Sequence, residues 1–161
     1  LVIALFVKKD YAVEREVLIS KPKSEVYDYV KYLKNQNNYS TWAKMDPNMT
    51  QTFSGTDGTV GFISAWEGNS KVGKGEQEIK NMQEGERIDY EIRFIKPFES
   101  VAPSYMATEA VGDNQTKVKW GFSGRMPYPM NIMRLFMNMP ELIGRDLQTG
   151  LDNLKNILEK Q

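Results

Sequence analysis

At 161 residues the chain is long enough for one domain with a sizeable core, and 40% hydrophobic and 26% charged residues are ordinary for a globular protein. Its 21 lysines and arginines equal its 21 aspartates and glutamates, so its overall charge does not favour nucleic acid, and we predict no such partner. The absence of cysteine and histidine excludes disulfides, thiolate chemistry and histidine-activated nucleophiles. Any catalysis would have to use carboxylate, lysine or tyrosine groups, or fixed dipoles.

The first nine residues form a separate segment in this prediction. An apolar run over residues 1–7 precedes Lys8 and Lys9, and it is far shorter than the roughly 20 residues that span a bilayer. We interpret residues 1–9 as the remnant of an N-terminal anchor or signal segment, which would tether the domain to a membrane. An extra edge strand or an apolar tail of the domain is the alternative. The side of the membrane and the cellular location stay open.

Residues 10–161 are predicted to form one domain, since no repeat or linker divides them. Alternation over residues 11–19 predicts a strand with one dominant buried face, made of Val13, Arg15, Val17 and Ile19. Ser20 is a candidate N-cap for a helix that carries Pro22 in its first turn and ends near Asn35. A second helical turn is expected over residues 39–43, with Trp42 facing inward.

The middle of the chain is predicted to be all strand, with Asp57-Gly58 as the strongest turn signal. Predicted strands cover residues 49–54, 60–67, 72–82, 87–95, 101–111 and 117–123. Each has an apolar and a charged face, which is typical of an antiparallel sheet with one face in water. In the third of these strands, Gln77, Ile79 and Asn81 are expected on one face.

One long amphipathic helix is predicted over residues 140–160, because apolar residues recur there at steps of three and four. They are Ile143, Leu147, Leu151, Leu154 and Leu158. Gly144 and Gly150 interrupt good helix formers, so we expect them to permit close approach of the helix to the sheet, or to leave room between the two. The predicted fold class is α+β: a curved antiparallel sheet of about seven strands wrapped around the C-terminal helix, with one or two short helices after the first strand.

Four stretches resemble one known superfamily in the correct order. Residues 17–27 resemble its strand-to-helix junction, 60–79 the central hairpin of its bacterial members, 116–120 a threonine–valine–tryptophan strand, and 144–155 its terminal helix. The chain thus resembles the START-like superfamily of polyketide cyclases, lipid-transfer START domains and pathogenesis-related allergens, and most closely the bacterial polyketide cyclase-like members. The resemblance implies a helix-grip fold whose cavity, between sheet and helix, holds lipids, polyketides or other apolar molecules.

The predicted cavity lining follows from the strand and helix phases, and combines aromatic walls with a few polar groups. We expect it to comprise Trp42, Phe62, Ser64, Trp66, Gln77, Tyr90, Phe94, Met106, Thr108, Trp120, Phe122, Met133, Met137, Ile143 and Leu147. Singly, each aromatic residue also suits a filled core. Each polar residue of this set, and likewise Ser104, also suits a position where it hydrogen-bonds within the protein.

Two further groups have alternative interpretations. Methionines cluster between Arg125 and Pro140 and suit either a flexible lid or ordinary packing; Tyr128 and Pro129 are candidates for the cavity mouth. Carboxylates recur on the outward face of the sheet, at Glu67, Glu76, Glu78, Asp89 and Glu91. We interpret them as a solvated face rather than a divalent-metal site.

These features leave three hypotheses for function. The first is binding or carriage of an apolar, lipid-like or polyketide-like molecule. The second is a cyclase or dehydratase that uses the same cavity through tyrosine and carboxylate groups and needs an inward acid or base. The third is a protein–protein interaction module that uses the Met-rich segment as an exposed apolar patch. No cofactor and no metal is predicted, and the oligomeric state is left open.

Overall fold

A computed structural model, which describes residues 2–126 and 130–161, shows one antiparallel sheet of seven strands in the order β1-β7-β6-β5-β4-β3-β2. The strands are β1 Asp10–Ile19, β2 Thr50–Ser54, β3 Ile63–Glu67, β4 Lys74–Gln83, β5 Arg87–Lys96, β6 Ser100–Ala110 and β7 Thr116–Arg125. Each lies within a few residues of its predicted bounds. Pairing of β1 with β7 brings the two ends of the sheet-forming chain together, beside the C-terminal helix.

Short helices follow β1, and one long helix ends the chain. The α-helices are α1 Lys23–Val30, α2 Gln36–Tyr39 and α3 Met139–Glu159, and 3₁₀ helices cover Val2–Leu5, Leu33–Asn35, Trp42–Lys44 and Met130–Leu135. The predicted N-cap at Ser20 is wrong, because extended Pro22 precedes α1 and the Ser20 N–H donates to Glu159 Oε1 at 2.8 Å. The predicted α+β helix-grip fold is confirmed.

The core lies between the inner face of the sheet and the C-terminal half of α3. Leu151, Leu154 and Leu158 are buried there in one cluster with side chains from β1, β4, β5, β6 and β7. Gly150 permits this approach, since a Cβ atom at this position would lie 2.8 Å from the Trp120 ring. The expectation that Gly150 brings the helix close to the sheet is thus confirmed.

A β-bulge changes the predicted phase of β4. Ile79 pairs with Tyr90 and Asn81 with Asp89, so Lys80 is the extra residue. Because one extra residue reverses the alternation of a strand, Asn81 is exposed and Met82 packs against the core instead. The prediction that Asn81 shares a face with Gln77 and Ile79 is therefore wrong.

The charged face of the sheet is organised around one arginine. Arg93 donates to Glu91 at 2.7 Å, to Glu76 at 2.7 Å and to Glu78 at 2.9 Å. The hydrogen bond from Arg93 to Glu78 lowers the pKa of Glu78, with a further contribution from Lys80. The outward carboxylates are therefore partners in an ion-pair network, in agreement with the interpretation of this surface as a solvated face.

The N-terminal residues are held by the domain at their inner end. The Asn131 side chain donates to the Val7 carbonyl at 2.9 Å, and the Met126 N–H donates to the Lys9 carbonyl at 2.8 Å, next to the first β1–β7 pair. Among the described helices, none is both long and apolar enough to cross a membrane. The predicted mouth residues Tyr128 and Pro129 lie outside the described residues.

Replacing Arg93 by alanine should destabilise the protein in a pH-dependent way. At pH 7 the Arg93→Ala variant leaves three carboxylates without their shared partner, and we expect a loss of about 1–2 kcal/mol in the free energy of unfolding. The folded-state pKa of Glu78 lies below its ordinary value of 4.5, so the stability it contributes is present above pH 4.5 and is lost as the pH falls through the lowered pKa. The difference between the variant and the wild type should therefore shrink towards pH 3 in urea unfolding curves.

Arg125→Ala is the matched control, because Arg125 makes an exposed ion pair with Asp10 at 3.6 Å. Pairs of this kind contribute little to stability, and this variant should unfold like the wild type at both pH values. An Arg93→Ala variant with wild-type stability at pH 7 would contradict the network.

Candidate ligand-binding cavity

A cavity of about 350 Å³ lies between the inner face of the sheet and the N-terminal half of α3. Met139, Ile143 and Leu147 of α3 form one wall, and all seven strands contribute residues to the opposite one. The segment 33–43, which contains α2, closes one side. Its backbone is held by Asp57, whose carboxylate accepts from the Leu33 N–H at 2.7 Å and from the Lys34 N–H at 3.1 Å.

Nine of the fifteen predicted residues come together around this cavity. They are Trp42, Ser64, Trp66, Gln77, Phe94, Trp120, Phe122, Ile143 and Leu147. On the strands and on α3 these side chains lie on the inner face, as the alternation and the helical spacing predict. Their contact with a ligand stays a prediction.

The other six predicted residues lie away from the cavity. Phe62, Tyr90 and Met106 are on the inner face, but they are buried in the filled core. Thr108 is also buried, and its hydroxyl donates to the Gly85 carbonyl at 2.9 Å. Met133 and Met137 are exposed instead, so they form neither a wall nor a closed lid in this structure.

The aromatic walls are assembled from edge-to-face ring contacts. Trp42 stands perpendicular to Trp120 with ring centroids 6.3 Å apart, and Trp66 meets Phe94 at 6.0 Å and 79°. The Trp66 indole N–H donates to the Val72 carbonyl at 2.8 Å, which fixes that ring from the side of the β3–β4 turn. Since aromatic pairs prefer this geometry, the walls can keep their shape around open space.

Five polar lining residues were not predicted from the sequence: Gln36, Asn37, Ser40, Gln51 and Lys71. Gln36, Asn37 and Ser40 lie in the segment that follows α1, which was interpreted as the end of a helix and a second helical turn. The signal available was its composition, a run of four amide side chains from Asn35 to Asn38 just before Tyr39. Asn37 and Gln51 exchange two hydrogen bonds of 2.9 Å, so this amide pair is satisfied within the protein.

One lining amide is poorly satisfied. The Gln36 Nε2 atom and the nearby Tyr90 hydroxyl are both buried, and neither makes a hydrogen bond of good geometry among the described residues. Gln36 lies close enough to the Tyr90 oxygen to oppose, as a donor, the rise in the Tyr90 pKa that burial causes. By contrast, Ser104 at the cavity wall donates to the Gly121 carbonyl at 2.7 Å. A buried donor with a poorly placed acceptor is costly, so Gln36 is the lining group whose hydrogen bonding a bound molecule would improve most.

The ionisable groups around the cavity are few. Within the described part of the chain, no aspartate or glutamate lines it, and the ionisable lining side chains are Tyr11 and Lys71. Burial raises the pKa of the neighbouring Tyr39 and Tyr90 phenols, which therefore remain neutral at ordinary pH. This arrangement suits binding of an apolar molecule with a hydrogen-bonding polar group more than proton transfer. The described residues also include no group of three acidic side chains that could hold a metal ion.

Comparison of whole structures shows this architecture in proteins of little sequence similarity. Protein CV1439 from Chromobacterium violaceum has a TM-score of 0.63 at 15% identity, over 92% of this chain and 96% of that one. Ara h 8.0201 has a TM-score of 0.63 at 11% identity, over 94% and 99%. Norcoclaurine synthase from Thalictrum flavum, solved with dopamine and hydroxybenzaldehyde, has a TM-score of 0.66 at 8% identity, over 99% and 92%. At these identities the likeness shows the fold.

Sequence comparison identifies the family. No curated protein matches the chain, but the model of one family, described as polyketide cyclase / dehydrase and lipid transport, matches residues 11–159. The predicted resemblance to START-like proteins is thereby confirmed over nearly the whole chain. The chain belongs to the polyketide cyclase / dehydrase and lipid transport family.

Proposed function

We propose that the protein binds and carries an apolar small molecule, lipid-like or polyketide-like, in the cavity beneath α3. The observation that carries this proposal is the open space of about 350 Å³ in a domain whose remaining inner face is filled. Ligand sites of this kind have volumes from roughly 300 Å³ upward, mainly apolar walls and few polar groups. The family description, which includes lipid transport, agrees with such a role.

The polar groups of the cavity favour a ligand with a hydrogen-bond acceptor. Gln36 Nε2 is a buried donor whose contact with the Tyr90 hydroxyl is not a hydrogen bond of good geometry, and Lys71 is the lining cation on the side of the β3–β4 turn. With no carboxylate among the described lining residues, a cationic ligand would be desolvated without a charged partner. A carbonyl, hydroxyl or carboxylate group on an apolar body fits these walls better.

Carriage is favoured over catalysis by the same groups. A cyclase or dehydratase that uses this cavity needs an inward acid or base, and the described lining offers neutral amides, hydroxyls, Tyr11 and Lys71. We therefore expect a bound polyketide or lipid to be recovered unchanged after incubation with the protein. Mass spectrometry of the extracted ligand checks this, and a dehydrated or cyclised product would instead establish the enzyme.

Filling the cavity should abolish ligand binding. Ser64 lies on the inner face of β3 and lines the cavity, so the phenyl ring of a Ser64→Phe variant would occupy the ligand's space. In thermal-shift screens against fatty acids, phospholipids, sterols, isoprenoids and aromatic polyketides, a ligand at about 100 times its dissociation constant should raise the wild-type melting temperature by roughly 5–10 °C. The Ser64→Phe variant should show no such shift.

Ser54→Phe is the matched control, because Ser54 is exposed at the end of β2 and the same side chain added there leaves the cavity open. This variant should respond to ligand like the wild type. A ligand that shifts all three proteins equally binds elsewhere, and a panel that shifts none of them contradicts the proposal.

Replacing Gln36 by leucine should stabilise the empty protein and weaken ligand binding. The Gln36→Leu variant removes a buried donor that makes no hydrogen bond of good geometry and has only the Tyr90 hydroxyl near it, so the free energy of unfolding should rise by about 1 kcal/mol. Affinity for a ligand that bears a carbonyl or carboxylate should fall about tenfold, since its hydrogen bond is lost. Urea unfolding and calorimetric titration measure the two effects.

Gln51→Leu provides the opposite case within the same cavity. Gln51 already exchanges hydrogen bonds with Asn37, so this variant leaves Asn37 unpaired and should lower the stability of the empty protein by about 1 kcal/mol. If both substitutions lower the stability equally, Gln36 is satisfied in solution and has no special role.

A further inference from the structure

Large apolar side chains are exposed on two segments next to the cavity. The first segment is residues 2–6, which contain the N-terminal 3₁₀ helix. The second is residues 130–137, which contain the 3₁₀ helix before α3. Cα atoms of the two 3₁₀ helices approach within 8 Å of each other. The apolar face, as we name it, consists of Ile3, Leu5, Phe6, Met133, Leu135, Phe136 and Met137. Phe6 and Phe136 are each 84% exposed, so both rings stand almost entirely in water.

This face is attached to the domain rather than formed by loose ends. The buried Asn131 side chain of the second segment donates to the Val7 carbonyl beside the first, and the Met126 N–H donates to the Lys9 carbonyl. At its C-terminal end the second segment runs directly into α3, whose N-cap is Asn138. Exposure of the two phenylalanine rings therefore belongs to the folded domain.

Basic residues lie beside the apolar face. Lys8 and Lys9 follow its first segment closely, and neither segment, residues 2–6 or 130–137, contains an acidic residue; Asp10 and Glu141 are the nearest ones along the chain. Apolar side chains next to two lysines suit the interface of an anionic bilayer, where acyl chains lie beneath negative headgroups.

The apolar face also adjoins the cavity. Met139, two residues after Met137, lines the cavity together with Ile143 and Tyr11. A membrane in contact with the apolar face would also lie close to this side of the cavity. An apolar ligand would then travel a shorter distance through water between the membrane and the cavity.

We propose that the apolar face docks the domain onto anionic lipid bilayers, with Phe6 and Phe136 inserted at the level of the acyl chains and the lysines at the headgroups. Phenylalanine and methionine also occur at protein–protein interfaces, but the two lysines beside the apolar face favour a bilayer, because lysine is depleted at protein–protein interfaces and is attracted to anionic headgroups. The proposal rests on the exposed residues and their charge, and not on the identity or existence of a cavity ligand.

Vesicle co-sedimentation of the full chain tests this docking. Vesicles of phosphatidylcholine with 30 mol% phosphatidylglycerol, an anionic composition of about one lipid in three, are compared with pure phosphatidylcholine. The wild type should bind the anionic vesicles more strongly, and added salt should weaken this binding. The Phe6→Ser/Phe136→Ser variant should bind about tenfold or more weakly, because both inserted rings are removed.

The matched control is Val60→Ser/Val111→Ser, which removes two exposed apolar side chains outside the apolar face. Val111 lies in the β6–β7 turn, whereas the apolar face lies at the opposite end of the β1–β7 pair, where Asp10 is located. This variant should bind like the wild type. Both double variants should keep the wild-type melting temperature, since the replaced side chains are exposed.

Two results would overturn the docking proposal. The first is no vesicle binding by the wild type, or equal binding by the wild type and the Phe6→Ser/Phe136→Ser variant. The second is a wild-type dimer in analytical ultracentrifugation that this variant dissociates, without vesicle binding, which would assign the apolar face to contact between copies of the chain. Neither result bears on the cavity, whose ligand is tested separately in the thermal-shift screen.

Discussion

The structure depends on how α3 packs against the sheet. Its C-terminal half presses Leu151, Leu154 and Leu158 into the inner face, and Gly150 lets the helix backbone come up to the Trp120 ring. Its N-terminal half lines the cavity with Met139, Ile143 and Leu147, and Leu147 also belongs to the buried core. One helix thus supplies the core of the domain with one half and the wall of a cavity with the other, so the cavity is supported by a filled core rather than left by poor packing.

The sequence predicts on which face of the sheet a side chain lies much better than whether that side chain is in the core or beside the cavity. Alternation places Phe62, Tyr90 and Met106 on the inner face, where they are, but whether an inner-face position lies in the filled core or beside the cavity depends on what α3 and the segment 33–43 place opposite it. That packing joins residues distant in sequence, which no local pattern contains. The bulge at Lys80 and the amide-rich segment from Gln36 also escape pattern analysis, because each takes its meaning from a partner distant in sequence.

The chemistry of the cavity follows from its neutral walls. Charge is concentrated on the outer face of the sheet, where Arg93 binds three glutamates, whereas the described lining is aromatic, aliphatic or neutral amide and hydroxyl apart from Tyr11 and Lys71. This separation of charge from the cavity favours a protein that holds an apolar molecule over one that transforms it. The family to which the chain belongs, polyketide cyclase / dehydrase and lipid transport, includes both kinds of role.

Tryptophan fluorescence gives the most direct test of an occupied cavity, because all three tryptophans of the chain, Trp42, Trp66 and Trp120, line it. The protein is titrated with a conjugated polyene fatty acid whose absorption overlaps tryptophan emission. The account predicts saturable quenching of tryptophan emission at one probe per chain, with energy transfer to the probe and reversal by an unlabelled apolar competitor. Tryptophan emission that stays unchanged in the folded protein, with this probe and with an aromatic one, would contradict it.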